Sequence, residues 1–196
     1  MKYSQVNSFE KGPVHLEIPA YSLYQDLEFF FQSSPQVDGA LTPIYHIATS
    51  EVPVHKAYTL SIESPDLDPA LHKRLLLITY NEEGEAVPAG GEYQNCNVVA
   101  RLRNFGAFAV ALDTISPEII PRGNMRFTIV DNLSGIAAYE GFIDNEWALF
   151  EYDPKNNLLF YRLDEDRISK GLDHELELYV SDEKGNVSLL HTTFNW

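Results

Sequence analysis

The sequence predicts an all-β fold arranged as two antiparallel β-sandwich domains in tandem. Apolar and polar residues alternate with a period of two along most of its 196 residues, whereas the period of an amphipathic helix is almost absent. Turn-forming residues recur at hairpin spacing between these segments. The chain is 44% hydrophobic, which is enough to build two small cores and excludes a disordered acidic protein.

The first half contains seven predicted strands. In Val14 to Ile18 the apolar residues alternate with His15 and Glu17, which are expected on the solvent face. Pro19 ends this strand because it has no amide hydrogen to donate. The other predicted strands are Asp26 to Gln32, Ile44 to Ala48, Ala57 to Glu63, Arg74 to Tyr80, Cys96 to Arg103 and Phe105 to Leu112.

Two features of this half depart from the strand pattern. Pro65 to Arg74 predicts one short or irregular helical turn, capped by Asp66 or Asp68. Cys96 is the only cysteine, so an intramolecular disulfide and a Cys-rich metal site are excluded. We expect Cys96 to be a small, buried and unreactive side chain inside a strand.

A domain boundary is predicted in the proline-marked stretch Leu112 to Pro117, giving domains 1–115 and 116–196. Asp144 and Asn145 both tolerate positive φ, so we expect them to form a two-residue hairpin loop. The second domain has six predicted strands at sandwich density: Met125 to Asp131, Ile136 to Asp144, Glu146 to Asp153, Leu158 to Leu163, His174 to Ser181 and Val187 to Phe194.

The formal net charge of −15 makes nucleic acid and anionic lipid poor partners, because both carry negative charge. No apolar run is long enough to span a bilayer, so no membrane insertion is predicted. The residues after Met1 are polar, which predicts no signal peptide in the printed sequence.

Motifs for catalysis are absent from the sequence. There is no His-x-His pair, no His-Glu-x-x-His helix pair and no G-x-S-x-G nucleophile motif. We therefore predict that this chain is not an enzyme and holds no cofactor. His174 is in phase with the apolar face of its strand, where a hydrogen-bonded, buried imidazole is expected.

Acidic residues occupy many predicted turns. Several such carboxylates together could ligate Ca²⁺, but no D-x-[DN]-x-[DN]-G loop is present. We expect each to accept hydrogen bonds within its own turn. The positions are Asp66, Asp68, Asp131 with the neighbouring Asn132, Asp144, Asp153, Asp164 to Asp166, and Asp182.

Three aromatic residues form the predicted ligand-binding site. Tyr139, Trp147 and Tyr152 fall in neighbouring predicted strands of the second domain, where outward-facing rings would stack on a sugar or a peptide. The alternative is that these rings belong to the core or to cross-strand pairs.

Five motifs lie at and after the domain boundary: D-T-x-x-P at Asp113 to Pro117, D-N-L-S-G-I at Asp131 to Ile136, I-D-N-E-W at Ile143 to Trp147, E-Y-D-P-K-N-N-L-L at Glu151 to Leu159, and H-E-L-E-L-Y-V-S-D-E-K-G-N at His174 to Asn186. Together they resemble the β-rich, non-catalytic C-terminal region of bacterial zinc metallopeptidases of the lysostaphin/LytM type. The last motif also resembles the final hairpin of bacterial Ig-like domains, which implies that the second domain is Ig-like.

The resemblance implies an accessory role, in which this region positions or regulates a peptidase domain outside this chain. The zinc-binding His…Asp and His-x-His motifs of that family have no match here, so no catalytic or metal residue is carried over. The implied partners are the catalytic domain of the parent protein and cell-wall peptidoglycan. The implied location is extracytoplasmic, periplasmic or at the cell surface, if the parent is secreted.

Two other functions remain open. In one of them, the chain is a free-standing surface module that binds carbohydrate or protein through its strand faces or loops. The third alternative is a zinc hydrolase that assembles its site within this chain.

Overall fold

A computed structural model describes all 196 residues, Met1–Trp196, and shows a protein that is 56% strand and 3% helix. Eighteen strands form four antiparallel sheets. The chain divides into two compact units, Met1–Asp113 and Thr114–Trp196, so the observed division lies two residues before the one expected from the sequence. The structure contains no helix that could span a lipid bilayer.

The first unit contains two five-stranded sheets that share one hydrophobic core. Its buried side chains come from both sheets, as with Leu16 and Leu60 from one and Leu77 and Val110 from the other. In spatial order the first sheet is β1 (Asn7–Lys11), β2 (Val14–Ile18), β5 (Pro53–Glu63), β9 (Asn97–Asn104) and β8 (Glu92–Gln94). The second sheet is β3 (Phe31–Ser34), β4 (Ile44–Ile47), β10 (Gly106–Leu112), β6 (Leu75–Tyr80) and β7 (Ala86–Gly90).

The second unit contains two four-stranded sheets around a second core. Phe127 and Leu159 from one sheet, and Leu178 and Val180 from the other, are among its buried side chains. The first sheet is β11 (Glu118–Gly123), β12 (Arg126–Val130), β16 (Leu158–Tyr161) and β15 (Phe150–Asp153). The second sheet is β14 (Glu146–Ala148), β13 (Ile136–Ile143), β17 (Asp173–Asp182) and β18 (Val187–Asn195).

Two predicted strands are wrong. Residues 26–30 are not a strand, because Asp26 is held by the N-terminal segment: its carboxylate accepts hydrogen bonds from Lys2 Nζ (2.7 Å) and Tyr3 N (3.0 Å). The predicted strand Glu146 to Asp153 is two strands, β14 and β15, in different sheets. Burial alternates without interruption across Leu149, so the pattern gives no sign of the break.

The expected burial of Cys96 is also wrong. Gln94 pairs with Asn97, which leaves Asn95 and Cys96 as a two-residue loop between β8 and β9. Cys96 has a φ of 64° and is exposed, because a residue in such a loop has no neighbouring strand to cover it.

The predicted helical turn is confirmed. Pro69–Arg74 forms a short 3₁₀ helix, and Asp68 caps it by accepting a hydrogen bond from Ala70 N at 2.9 Å. Asp68 rather than Asp66 is therefore the cap.

Candidate ligand-binding site

A cleft of about 200 Å³ lies beside the β13–β14 hairpin of the second unit. Trp147 is 53% exposed at this cleft, whereas Ala148, Tyr161 and Ile168 supply buried parts of the lining. The complete lining is Ile143, Asp144, Glu146, Trp147, Ala148, Tyr161, Arg167 and Ile168. The cleft thus combines one exposed aromatic ring with charged side chains of both signs.

The hairpin loop at the cleft has the geometry that its sequence predicts. Asp144 and Asn145 have φ values of 52° and 66°, and Ile143 pairs directly with Glu146. Positive φ at both loop residues is the geometry of a tight two-residue hairpin, which Asp and Asn tolerate better than most residues. The tight loop places Glu146 and Trp147 on a strand paired with β13 rather than on a mobile loop.

Asp144 is tied to strand β17 through His174. The Asp144 Oδ2 lies 2.6 Å from Nδ1 of His174, and Asp144 Oδ1 accepts a hydrogen bond from Glu175 N at 2.9 Å. The other ring nitrogen of His174, Nε2, lies 2.8 Å from the Ser169 carbonyl oxygen. Since both ring nitrogens face acceptors, this arrangement favours the doubly protonated imidazolium.

These contacts shift both pKa values. The hydrogen bond that His174 donates to Asp144, followed by the one to the Ser169 carbonyl, raises the pKa of His174 above its usual value. The same bond to His174, with help from Glu175 N, lowers the pKa of Asp144. His174 is only 6% exposed, so the expectation of a buried, hydrogen-bonded imidazole is confirmed.

A turn after β16 forms the other side of the cleft. Ile168 N donates to the Asp164 carbonyl oxygen at 2.9 Å, and the Ile168 side chain is buried. Arg167 Nη2 donates to the Trp147 carbonyl oxygen at 2.9 Å. The guanidinium of Arg167 is therefore fixed beside the strand that carries the exposed ring.

The three aromatic residues predicted from the sequence do not act as one group at this cleft. Tyr139 and Tyr152 contact each other edge to face, with ring centroids 5.8 Å apart, and both pack against the second core. Burial raises the pKa of Tyr152, and the Asp153 carboxylate adds to the shift. Only Trp147 of the three lines the cleft, and ligand binding by Tyr139 and Tyr152 stays a prediction.

Several acidic turn residues have the local role expected for them, because each accepts hydrogen bonds from backbone amides of its own turn. The acceptors are Asp131 from Leu133 and Gly135, Asp153 from Lys155, Asp164 from Asp166, and Asp182 from Lys184 and Asn186, all between 2.8 and 3.1 Å.

Sequence reasoning missed two parts of the site. Arg167 carries no motif, and nothing local relates it to Trp147, twenty residues earlier. The pairing of Asp144 with His174 spans thirty residues. The sequence indicates a tight loop at Asp144 and places His174 on the apolar face of its strand. Neither observation shows that these two residues contact each other.

Comparison with known proteins concerns the first unit. A family model described as a Zu5-like domain matches residues 1–113, which are more than half of the chain and coincide with Met1–Asp113. No curated protein matches the chain. Nothing in these comparisons links it to the peptidases that its motifs resemble. On the strength of the match over residues 1–113, the chain belongs to the Zu5-like domain family.

Proposed function

We propose that this protein is a binding module that takes a neutral sugar ring in the Trp147 cleft. The observation that carries the proposal is the half-exposed Trp147 ring beside a cleft with fixed polar groups. An indole face is a flat apolar surface with room for the C–H groups of a pyranose, and it needs no change in conformation to present it.

The polar groups of the cleft suit hydroxyls. Arg167 supplies N–H donors, and the carboxylates of Asp144 and Glu146 supply acceptors. Two carboxylates at the rim, in a chain of net charge −15, disfavour acidic ligands. At about 200 Å³ the cleft is smaller than the ~300–1,000 Å³ of pockets for drug-sized ligands, which favours a single sugar unit of a chain.

A finer description of the architecture is part of this proposal. We infer that each unit is an antiparallel β-sandwich and that the second is Ig-like. Support comes from the two sheets that share one core in each unit, and from the switch between sheets at Leu149. In such a fold the loops at the strand ends are the common ligand-binding positions.

The two tryptophans allow a direct test. Trp196→Phe leaves Trp147 as the sole tryptophan, so its fluorescence reports on the cleft. We expect oligomers of N-acetylglucosamine or glucose to change this fluorescence in a saturable way. Trp147→Ala, measured by calorimetry, is expected to weaken binding at least tenfold, about 1.4 kcal/mol.

Tyr139→Phe is the matched control, because it alters a predicted aromatic residue outside the cleft. If no neutral oligosaccharide binds, or if Trp147→Ala binds as tightly as the unchanged protein, the proposal is wrong.

A second candidate function rests on the sequence motifs quoted above. In it, the chain is the accessory region of a cell-envelope zinc metallopeptidase, and the sugar cleft would hold that enzyme near its polymer, raising its local concentration. A coding segment immediately upstream with His…Asp and His-x-His motifs would support this role. Peptidoglycan hydrolysis by this chain alone would contradict it.

A further inference from the structure

A basic depression lies on the sheet formed by β11, β12, β16 and β15. Three of the seven arginines of the chain, Arg122, Arg126 and Arg162, line it together with Asn124 and Phe160. Its volume is about 740 Å³, and no carboxylate is part of the lining. In a chain with twice as many acidic as basic residues, such a concentration of guanidinium groups is unusual.

Two of these arginines are fixed by the sheet. Arg122 Nε donates to Thr128 Oγ1 at 2.8 Å. Arg162 Nε lies 3.0 Å from Glu151 Oε1, and its guanidinium lies 5.7 Å from the centre of the Phe160 ring. These contacts restrict both side chains at the surface, which reduces the side-chain entropy lost when a ligand binds.

The third arginine is unpaired. Arg126 lies on β12 directly opposite Phe160 on β16, and its exposed guanidinium has no ion pair or hydrogen bond in the structure. A guanidinium offers five donors in a planar fork that matches a carboxylate. Arg126 is therefore the position where pairing with an anionic group would contribute most to the free energy of binding.

The charges identify the class of partner. The depression carries three positive charges, of which that of Arg162 is paired with Glu151, while the whole chain carries −15. An extended polyanion is repelled by the negative charge of the whole protein. A short acidic segment interacts mainly with the charges that lie within the Debye length of about 8 Å. Phe160 adds an apolar surface between the arginines, which suits a peptide side chain better than a phosphate.

We propose that this face docks an extended acidic segment of a partner protein, in which Asp or Glu alternates with apolar residues. The carboxylates pair with Arg126 and Arg162, and an apolar side chain packs on Phe160. This inference goes beyond the sugar cleft and does not depend on it.

Fluorescence anisotropy tests the proposal with two labelled peptides, Glu-Leu-Glu-Leu-Glu-Leu and Lys-Leu-Lys-Leu-Lys-Leu. We expect the acidic peptide to bind and the basic one not to, with an affinity that falls several-fold when NaCl is raised from 50 to 300 mM. The double variant Arg126→Gln/Arg162→Gln is expected to bind the acidic peptide at least tenfold more weakly. The control is Arg101→Gln, an exposed arginine on β9 of the first unit.

Circular dichroism establishes whether the variants are folded. If the double variant is not, Arg126→Gln alone replaces it, because the Arg126 side chain is exposed and makes no hydrogen bond or ion pair. Failure of the acidic peptide to bind, or unchanged binding by the folded variant, overturns the proposal. So does self-association of the chain that the variant abolishes, since the occupant would then be a second copy. Equal competition by inorganic phosphate overturns it too, because the site would then be a general anion site.

Discussion

The hairpin loops Asn95–Cys96 of the first unit and Asp144–Asn145 of the second share a backbone geometry but differ in what holds them. All four residues have φ between 49° and 66°. In the first loop the Cys96 carbonyl oxygen accepts a hydrogen bond from Ser64 N at 2.8 Å, and the Cys96 thiol interacts with the side chain of Tyr93. The second is tied by the Asp144 carboxylate to His174 and Glu175 on β17.

The two loops show which features depend on the residues of the loop itself and which depend on the rest of the fold. The geometry of a tight loop depends on which residues tolerate positive φ, and this is a local property. The contact between Asp144 and His174, which we call the charged tether of the second loop, joins residues thirty positions apart. It depends on the strand pairing that brings them close. Because the tether involves ionisable groups, we expect the stability of the second loop to depend on pH.

The largest expected effect comes from disturbing the strand that leads into the second loop. A Cβ at Gly141 on β13 would lie 2.2 Å from Cε2 of Phe150, which is buried in the second core. We expect Gly141→Ala to lower the free energy of unfolding by about 1–3 kcal/mol, because the packed ring must move. Urea denaturation measures this change.

Ala137→Val on the same strand is its control, since residue 137 is exposed and a larger side chain there meets no core. A loss below about 0.5 kcal/mol for Gly141→Ala would show that Phe150 can rotate away at little cost.

The next effect concerns the charged tether. The pKa of His174 is raised in the folded state, so its stabilising contribution is fully present below the ordinary value of 6.5 and is lost as the pH rises through the raised pKa. The pKa of Asp144 is lowered, so its contribution is present above 3.8 and is lost only as the pH falls through the lowered pKa. His174→Gln should therefore reduce the melting temperature more at pH 5 to 6 than at pH 9.

His191→Gln, at an exposed position on β18, is the comparison for this effect and should give a smaller dependence on pH. A melting-temperature difference for His174→Gln that is constant from pH 5 to 9 would mean that the pKa of His174 is the same in the folded and the unfolded protein.

The smallest effect is expected at the first loop. Cys96 holds a φ of 64°, which costs a residue with a Cβ roughly 1 kcal/mol. Cys96→Gly gives Asn-Gly, the preferred pair for such a loop, and we expect it to raise the free energy of unfolding by about 0.5–1 kcal/mol. Thermal unfolding under reducing conditions measures the gain, and a loss of stability would show that the thiol makes contacts worth more than the strain.

Much of the fold could be predicted from the sequence because strand burial has a period of two. Leu176, Leu178 and Val180 alternate with polar residues and are all buried in β17. The break at Leu149 could not be predicted, because the alternation continues while the chain changes sheets. The strand predicted from Asp26 does not form over residues 26–30, because the partners of Asp26, Lys2 and Tyr3, lie in a distant segment.

The candidate site was predictable only in part, for the same reason. The exposed Trp147 and the tight Asp144–Asn145 loop follow from local residues. Arg167 and His174 reach the site through strand pairing and a turn that no motif encodes. A sequence can therefore indicate a ring and a loop, but the charged groups around them require the fold.

The bond between Arg167 and the carbonyl oxygen of Trp147 has a consequence for aggregation. β14 is an outer strand of its sheet, and outer strands present unpaired main-chain groups on which strands of other molecules can add. By occupying that oxygen, Arg167 removes one acceptor from the exposed border of a strand only three residues long. We therefore expect the guanidinium that lines the cleft to oppose the addition of a strand from another molecule at β14.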